Sequence, residues 1–190
     1  VESALFVSSN CVTPKLIDLK TDENKFHLEL GKLNTYYNKL HVTKGKSDII
    51  KFGDIFVELN DEGNETGNYW LNITAHCDCE CPKENIKNNF SFTLGQKMRL
   101  KDGLSQSDEG FKSYLTKEDG ILLIDWKRRI NVLNISNNKM TNYLVNVKDG
   151  TARKFKLKYI ATLKENYAQR MANNSFSFAM RVGIDFAGLS

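Results

Sequence analysis

Apolar and polar residues alternate with a period of two over much of the chain, most clearly near its C-terminal end. In segment 155–163 most alternate residues are apolar, and lysines lie between several of them. Segment 176–186 repeats the pattern over eleven residues, and its apolar members are Phe176, Phe178, Met180, Val182, Ile184 and Phe186. A period of two places alternate side chains on one face of a strand. We therefore predict that both segments are β-strands with one buried face.

Shorter segments of the same character occur throughout the rest of the chain. They are residues 4–7, 26–30, 49–59, 69–75, 90–94, 121–125 and 130–135. Asn, Gly and Asp cluster between them, as expected of turns, and the spacing is typical of antiparallel sandwiches. We predict one all-β domain over residues 1–190, an antiparallel β-sandwich with long loops near residues 35–47 and 97–119.

Composition narrows the class of protein. The 190 residues carry a net charge of +4 and are 41% hydrophobic, a balance that allows a sizeable core and gives no polybasic signature. No wholly apolar run is longer than that at residues 121–124, whereas a membrane-spanning helix needs about 20 such residues. We therefore expect no nucleic-acid partner and no membrane span.

The four cysteines are unevenly distributed, because Cys11 stands alone while Cys77, Cys79 and Cys81 alternate with acidic residues. An even number fits two disulfides and an oxidising compartment. Three cysteines at alternate positions on a strand would also suit a thiolate-bound metal ion, although structural zinc sites usually use a C-x2-C spacing. Free thiols are the third possibility. We favour disulfides and predict no metal and no cofactor.

The sequence gives little support for catalysis. It contains no Gly-rich phosphate loop, no G-x-S-x-G motif and no H-E-x-x-H motif. His27, His41 and His76 lie far apart in the chain, and the adjacent His76 and Cys77 belong to a crowded cysteine segment that is unlike a catalytic pair. We predict that the protein is not an enzyme.

A row of basic residues is the clearest charged feature. Arg153, Lys154, Lys156 and Lys158 fall on or beside one strand, and such a row suits a sulfated or sialylated ligand. Residues 127–129 add further basic side chains. The alternative is a solvated outer strand face on which lysines discourage pairing with another strand edge.

Several short motifs follow one another in a particular order. Cys11 precedes the strand-like segment 26–33, segment 71–77 alternates and ends in a cysteine, and a glycine opens the apolar segment 120–125. Phe-Lys-Leu-Lys-Tyr-Ile-Ala at 155–161 and the alternating segment 176–186 come last. In this layout the chain resembles subunits of bacterial chaperone–usher fimbriae.

The resemblance implies an immunoglobulin-like sandwich that lacks its last strand and is completed by a donor strand. The partners are then a neighbouring fimbrial subunit or a periplasmic chaperone, and the apolar residues of 176–186 border the donor-strand groove. Only ten residues precede Cys11, which points to a subunit at the fibre tip. The protein is then extracellular, on the bacterial cell surface, and mediates adhesion to host glycans.

Under that resemblance, loop aromatic and polar residues are the candidate contacts to a glycan. They are Tyr36, Tyr37, His41, Trp70 and Trp126. The alternative for both tryptophans is a position in the core of the sheet.

Two other functions stay open at this point. One is a free-standing secreted β-sandwich that acts as a lectin or immune-interaction protein. The other is an intracellular metal-binding β-domain that uses Cys77, Cys79 and Cys81.

Overall fold

The computed structural model describes residues 36–37, 49–99, 112–117, 120–151 and 153–181. The strands expected at residues 4–7 and 26–30, Cys11 and His41 lie outside these residues, as does most of both long loops. The elements are β1 Tyr36–Tyr37, β2 Asp54–Leu59, β3 Glu65–Asn72, α1 His76–Glu80, α2 Pro82–Ile86, β4 Asn89–Met98, β5 Lys112–Lys117, β6 Gly120–Asn134, β7 Leu144–Asp149, β8 Lys154–Leu163 and α3 Glu165–Arg181.

Six of the strands form a closed antiparallel barrel. The strand order runs β8-β2-β3-β4-β6, and β7 pairs with both β6 and β8 and so closes the ring. Strand β1 pairs with β8, and β5 pairs with the first part of β6. The predicted all-β antiparallel class is confirmed. The described strands do not form a clear pair of facing sheets, so the immunoglobulin-like sandwich of the prediction is replaced by a barrel.

Strand β6 makes this closure possible. It is 15 residues long, and its pairing register with β4 shifts between Thr93 and Gly95. An irregularity of this kind bends and twists a strand. One end of β6 can therefore pair with β5 while the other end, at Leu133 and Asn134, pairs with β7.

The barrel interior is filled by large apolar side chains that come from all six strands. Phe56 lies at its centre and makes edge-to-face contacts with Phe92, at 6.1 Å between ring centroids, and with Tyr159, at 6.0 Å. The other interior side chains include Trp70, Phe90, Leu133, Val145, Val147, Phe155 and Leu157.

A second apolar layer covers part of the outside of the barrel. Ile55, Val57 and Leu59 alternate with the inward-facing residues of β2 and belong to one cluster with Ala168 and Met171 of α3. Both faces of β2 are therefore covered, and all six of its residues are buried. A strand buried on both faces loses the alternation of an ordinary surface strand.

The C-terminal strand prediction is wrong for residues 176–181, which continue helix α3. Over residues 165–177, the part of this helix whose burial is described, the buried residues are Ala168, Met171, Ala172 and Ser175, a spacing of three and four residues that marks a helical stripe. The later alternation of Phe with Ser and Ala imitates a strand pattern, but the helical stripe before it decides the structure. Val182, Ile184 and Phe186 lie outside the described residues. The groove role of Phe176, Phe178 and Met180 assumed a strand and stays a prediction.

Candidate functional site: a basic groove on the outer barrel wall

The hairpin of β7 and β8 sets out a row of lysines on the outer wall of the barrel. In its register Lys148 lies opposite Lys154, and Asn146 lies opposite Lys156. Because the pleat alternates, Val147 and Leu157 point into the barrel and are buried, while these four polar residues are exposed. The sequence predicted the exposed face of β8, and the structure adds Lys148 from the neighbouring strand.

A cavity of about 470 Å³ opens beside these lysines, at the end of the barrel where β2 and β6 end and the β7–β8 turn lies, and the inward-facing Val147 and Phe155 reach it. Its volume lies in the range of small-molecule binding pockets. Its polar lining consists of Asn60, Asp61, Asn134, Ser136, Asn146, Lys148, Lys154 and Lys156. Leu59, Val147 and Phe155 supply apolar contacts. We call this cavity and its rim the basic groove.

A smaller cavity of about 270 Å³ adjoins the basic groove. The two cavities share Ser136, Asn146 and Lys156, and the smaller one adds Lys139 and Asn142. The surface available to a ligand therefore continues past Lys156 along the loop that joins β6 to β7.

The lysines of the basic groove repel one another. Like charges placed directly opposite in an antiparallel pair are destabilising, and Lys148 and Lys154 occupy such positions. Within the part of the chain that the structure describes, no salt bridge joins Lys148, Lys154 or Lys156 to a carboxylate. A bound anion would relieve this repulsion.

The carboxylate of the nearby Asp149 is hydrogen-bonded within its own turn. Its carboxylate accepts hydrogen bonds from the Thr151 hydroxyl at 2.7 Å and from the backbone N–H groups of Thr151 and Arg153. These bonds, the Thr151 hydroxyl first, lower the pKa of Asp149 below its ordinary value. The carboxylate therefore shapes the β7–β8 turn.

Arg153 does not join the lysine row. Its Nη2 atom lies 2.6 Å from Oε1 of Glu58, a carboxylate whose side chain is only 1% exposed. Glu58 also accepts a hydrogen bond of 3.0 Å from Nε1 of Trp70, and the guanidinium stacks 5.0 Å from the ring centre of Phe155. This ion pair, in which Glu58 is buried and Arg153 is 56% exposed, holds the guanidinium against Phe155, a residue that lines the basic groove. The position of Glu58 inside the apolar stretch 55–59 was the sequence signal for a buried acid.

The two candidate tryptophans are core residues. Trp126 is 2% exposed and donates from Nε1 to Oγ of Ser113 at 2.8 Å. Trp70 is 7% exposed, and its indole N–H is bound to Glu58. Neither tryptophan lines the basic groove, so the ligand contacts predicted for them are corrected to core positions. Tyr36 and Tyr37 form β1 beside the end of β8, and their role as ligand contacts stays a prediction, as does that of His41.

The second buried carboxylate, Asp54, lies on β2 beyond Phe56. Its Oδ1 atom accepts a hydrogen bond of 2.7 Å from Thr162, and its Oδ2 atom accepts one of 2.7 Å from the backbone N–H of Lys51. The Thr162 hydroxyl also meets the hydroxyl of Tyr159 at 2.8 Å. Burial outweighs these bonds and raises the pKa of Asp54 to about 7. Burial likewise raises the pKa of Tyr159.

The cysteine segment forms the short helix α1 and its C-terminal cap instead of a strand. Cys79 is 2% exposed, and its thiol accepts a hydrogen bond of 3.4 Å from Asn72 and donates one of 3.5 Å to the Thr74 carbonyl. Burial raises the pKa of this thiol to about 11. Cys77 and Cys81 are exposed, and all three are free thiols. The disulfides predicted for Cys77, Cys79 and Cys81 are therefore not formed in this structure, and Cys11 lies outside the described residues.

Within the described residues no group of three or more His, Cys, Asp or Glu side chains is arranged to hold a metal ion. No helix in those same ranges is both long enough and apolar enough to cross a membrane. Comparison with protein-family models, with curated proteins and with solved structures found no match for this chain.

Proposed function

We propose that the protein binds an acidic carbohydrate, sulfated or sialylated, in the basic groove of β7 and β8. The observation that carries this proposal is the cavity of about 470 Å³ whose rim holds Lys148, Lys154 and Lys156 without carboxylate partners among the described residues.

The chemistry of the lining favours a carbohydrate among the possible anions. Asn60, Asn146 and Ser136 offer both hydrogen-bond donors and acceptors, which suits a molecule with many hydroxyl groups. The charged donors that line the cavity are lysines, which act as compact point charges toward an anionic group such as a sulfate ester or a sugar carboxylate.

Removal of two groove lysines should weaken binding of a sulfated oligosaccharide. We expect Lys154→Gln with Lys156→Gln to raise Kd about tenfold, because each exposed charge pair contributes up to about 1 kcal/mol. Titration calorimetry with the oligosaccharide measures the change. Binding to the unaltered protein should also weaken when salt is raised, because the groove lies in solvent.

The matched control is Lys83→Gln with Lys97→Gln. It removes the same charge from exposed positions on α2 and β4 that line neither cavity, and we expect it to bind like the parent protein. Equal losses in both double variants, or equal binding of a desulfated or desialylated oligosaccharide, would contradict the proposal.

Assembly as a fimbrial subunit by strand addition is the second proposal. It is supported by the position of β5, which ends the strand order and pairs only with β6 among the described strands. An added strand would pair along the other edge of β5.

Expression in an oxidising compartment tests the second proposal. We expect the chain to remain soluble only together with a periplasmic chaperone or a donor peptide, since the edge of β5 that has no partner among the described strands would otherwise be open to pairing with other chains. A stable monomer that is made without either partner would refute strand addition. The basic groove can be assayed on the same preparation, so each proposal can fail separately.

A further inference from the structure

Two exposed thiols lie one turn apart on helix α1 and its cap. The backbone N–H of Cys81 donates to the carbonyl of Cys77 at 3.4 Å, and the Asn85 side chain donates to the same carbonyl at 3.2 Å. Residues one helical turn apart have about 5–6 Å between their Cβ atoms. Cys81 is the C-cap, with φ −125° and ψ 60°, and the Cys77 thiol donates to Oδ1 of Asp78 at 3.8 Å. Cys77 and Cys81 are therefore two exposed thiols at neighbouring positions of the backbone.

We propose that Cys77 and Cys81 bind one soft monovalent cation, Cu(I), as a two-thiolate site. Thiolates are soft ligands that suit Cu(I), zinc and iron–sulfur clusters, and two thiolates alone do not complete a four-coordinate zinc site. On the two short helices that carry the pair, the acidic residues Asp78, Glu80 and Glu84 outnumber the basic Lys83, so the local net charge favours a cation.

The spacing of the pair favours a bridging metal ion over a disulfide. A disulfide needs its two Cβ atoms about 3.8 Å apart, well below the separation at one helical turn. An ion bonded to both sulfurs joins thiols that lie farther apart than a direct S–S bond of about 2.0 Å allows.

Burial separates Cys79 from the site. Its side chain is 2% exposed and points toward Asn72 and the Thr74 carbonyl, with both of which it is hydrogen-bonded. The alternating sequence would place all three thiols on one strand face, but the helix divides them into an exposed pair and a core residue. A two-coordinate ion matches the two thiols that remain, whereas tetrahedral zinc needs four ligands.

Binding is a ligand exchange without electron transfer. Both S–H bonds break, two Cu–S bonds form, two protons pass to solvent, and copper stays Cu(I). The site therefore requires both thiols in the reduced state.

Titration of the reduced protein with Cu(I) from a bicinchoninate complex under nitrogen tests the proposal. A Cys11→Ser background removes the remaining thiol outside the described residues. We expect one Cu(I) per chain, with a thiolate-to-copper charge-transfer band in the ultraviolet. Cys77→Ser and Cys81→Ser should each lower the affinity more than about tenfold, because each removes one of two soft ligands.

Cys79→Ser is the matched control, and we expect its affinity to equal that of the background. If this variant does not fold, alkylation of the background protein gives the same information, because Cu(I) should protect Cys77 and Cys81 together from iodoacetamide. Unchanged affinity in the Cys77→Ser and Cys81→Ser variants, or lost affinity in the Cys11→Ser background, would overturn the proposal.

Discussion

Replacement of Asp54 by Asn should remove most of the pH dependence of stability between pH 4 and pH 7. The carboxyl has a pKa of 3.8 in an unfolded chain and of about 7 in the folded protein. Between these values the folded state holds a proton that the unfolded state releases. The free energy of unfolding of the parent protein therefore falls by about 4 kcal/mol as pH rises through this interval. Above the interval it is level.

The Asp54→Asn variant carries no titrating group at this position, so its stability should stay nearly constant over the same interval. The new amide oxygen can accept from the Lys51 N–H and the amide nitrogen can donate to Thr162, the two partners that Asp54 has now. The variant should consequently be more stable than the parent protein at pH 8 and no more stable at pH 4.

Urea denaturation at pH 4, 6 and 8 measures this difference. Asp61→Asn removes a carboxylate from an exposed position and controls for the change in net charge, and we expect it to keep the parent slope. A slope in Asp54→Asn as steep as that of the parent protein would show that the buried carboxyl does not cause the dependence.

Truncation of Trp126 to Ala should lower the free energy of unfolding by about 3–5 kcal/mol, the range for large aromatic residues in cores. The indole fills a close-packed site, because a Cβ atom at Gly95 would lie 2.5 Å from its ring. The surrounding strands β4, β5 and β6 cannot collapse into the space without breaking their ladders. The variant also leaves the Ser113 hydroxyl without its indole partner.

Thermal and urea unfolding measure this loss. Val132→Ala is the matched control on the same strand, because Val132 is 54% exposed, and its effect should stay within about 0.5 kcal/mol. The folded fraction of Trp126→Ala should bind the sulfated oligosaccharide like the parent protein. Lost binding with unchanged stability would instead restore Trp126 as a ligand contact.

The sequence predicts best those strands that have one buried and one solvent-exposed face. Strand β8 alternates between buried Phe155 or Leu157 and exposed Lys156, so its pattern is visible without neighbours. The sequence predicts a loop where strand β5 lies, because residues Lys112–Lys117 have no apolar alternation of their own. Its place is decided by pairing with β6, which is a property of the tertiary structure.

Barrel closure and the site depended on contacts that are distant in sequence. The β8 pattern alone predicts the exposed Lys154. The basic groove also contains Lys148 from β7, and Asn60 and Asn134 from other strand ends. The pairing of Glu58 with Arg153 spans 95 residues, and nothing local to either residue indicates it. Helix α1 shows a related limit, because alternating cysteines and acids follow a strand period while the chain there is helical.

The pairing of β2 with β8 also sets an order of events during folding. Thr162 contacts Asp54 across 108 residues. Contacts between residues far apart in sequence raise the contact order and slow folding. During synthesis on the ribosome, β2, β3 and β4 emerge long before β8. Until β8 emerges, one edge of β2 is unpaired and its apolar side chains are uncovered. The ring closes only after β8 has been made, which makes completion of this barrel a late step of biosynthesis and leaves the nascent β2 edge open to other chains until then.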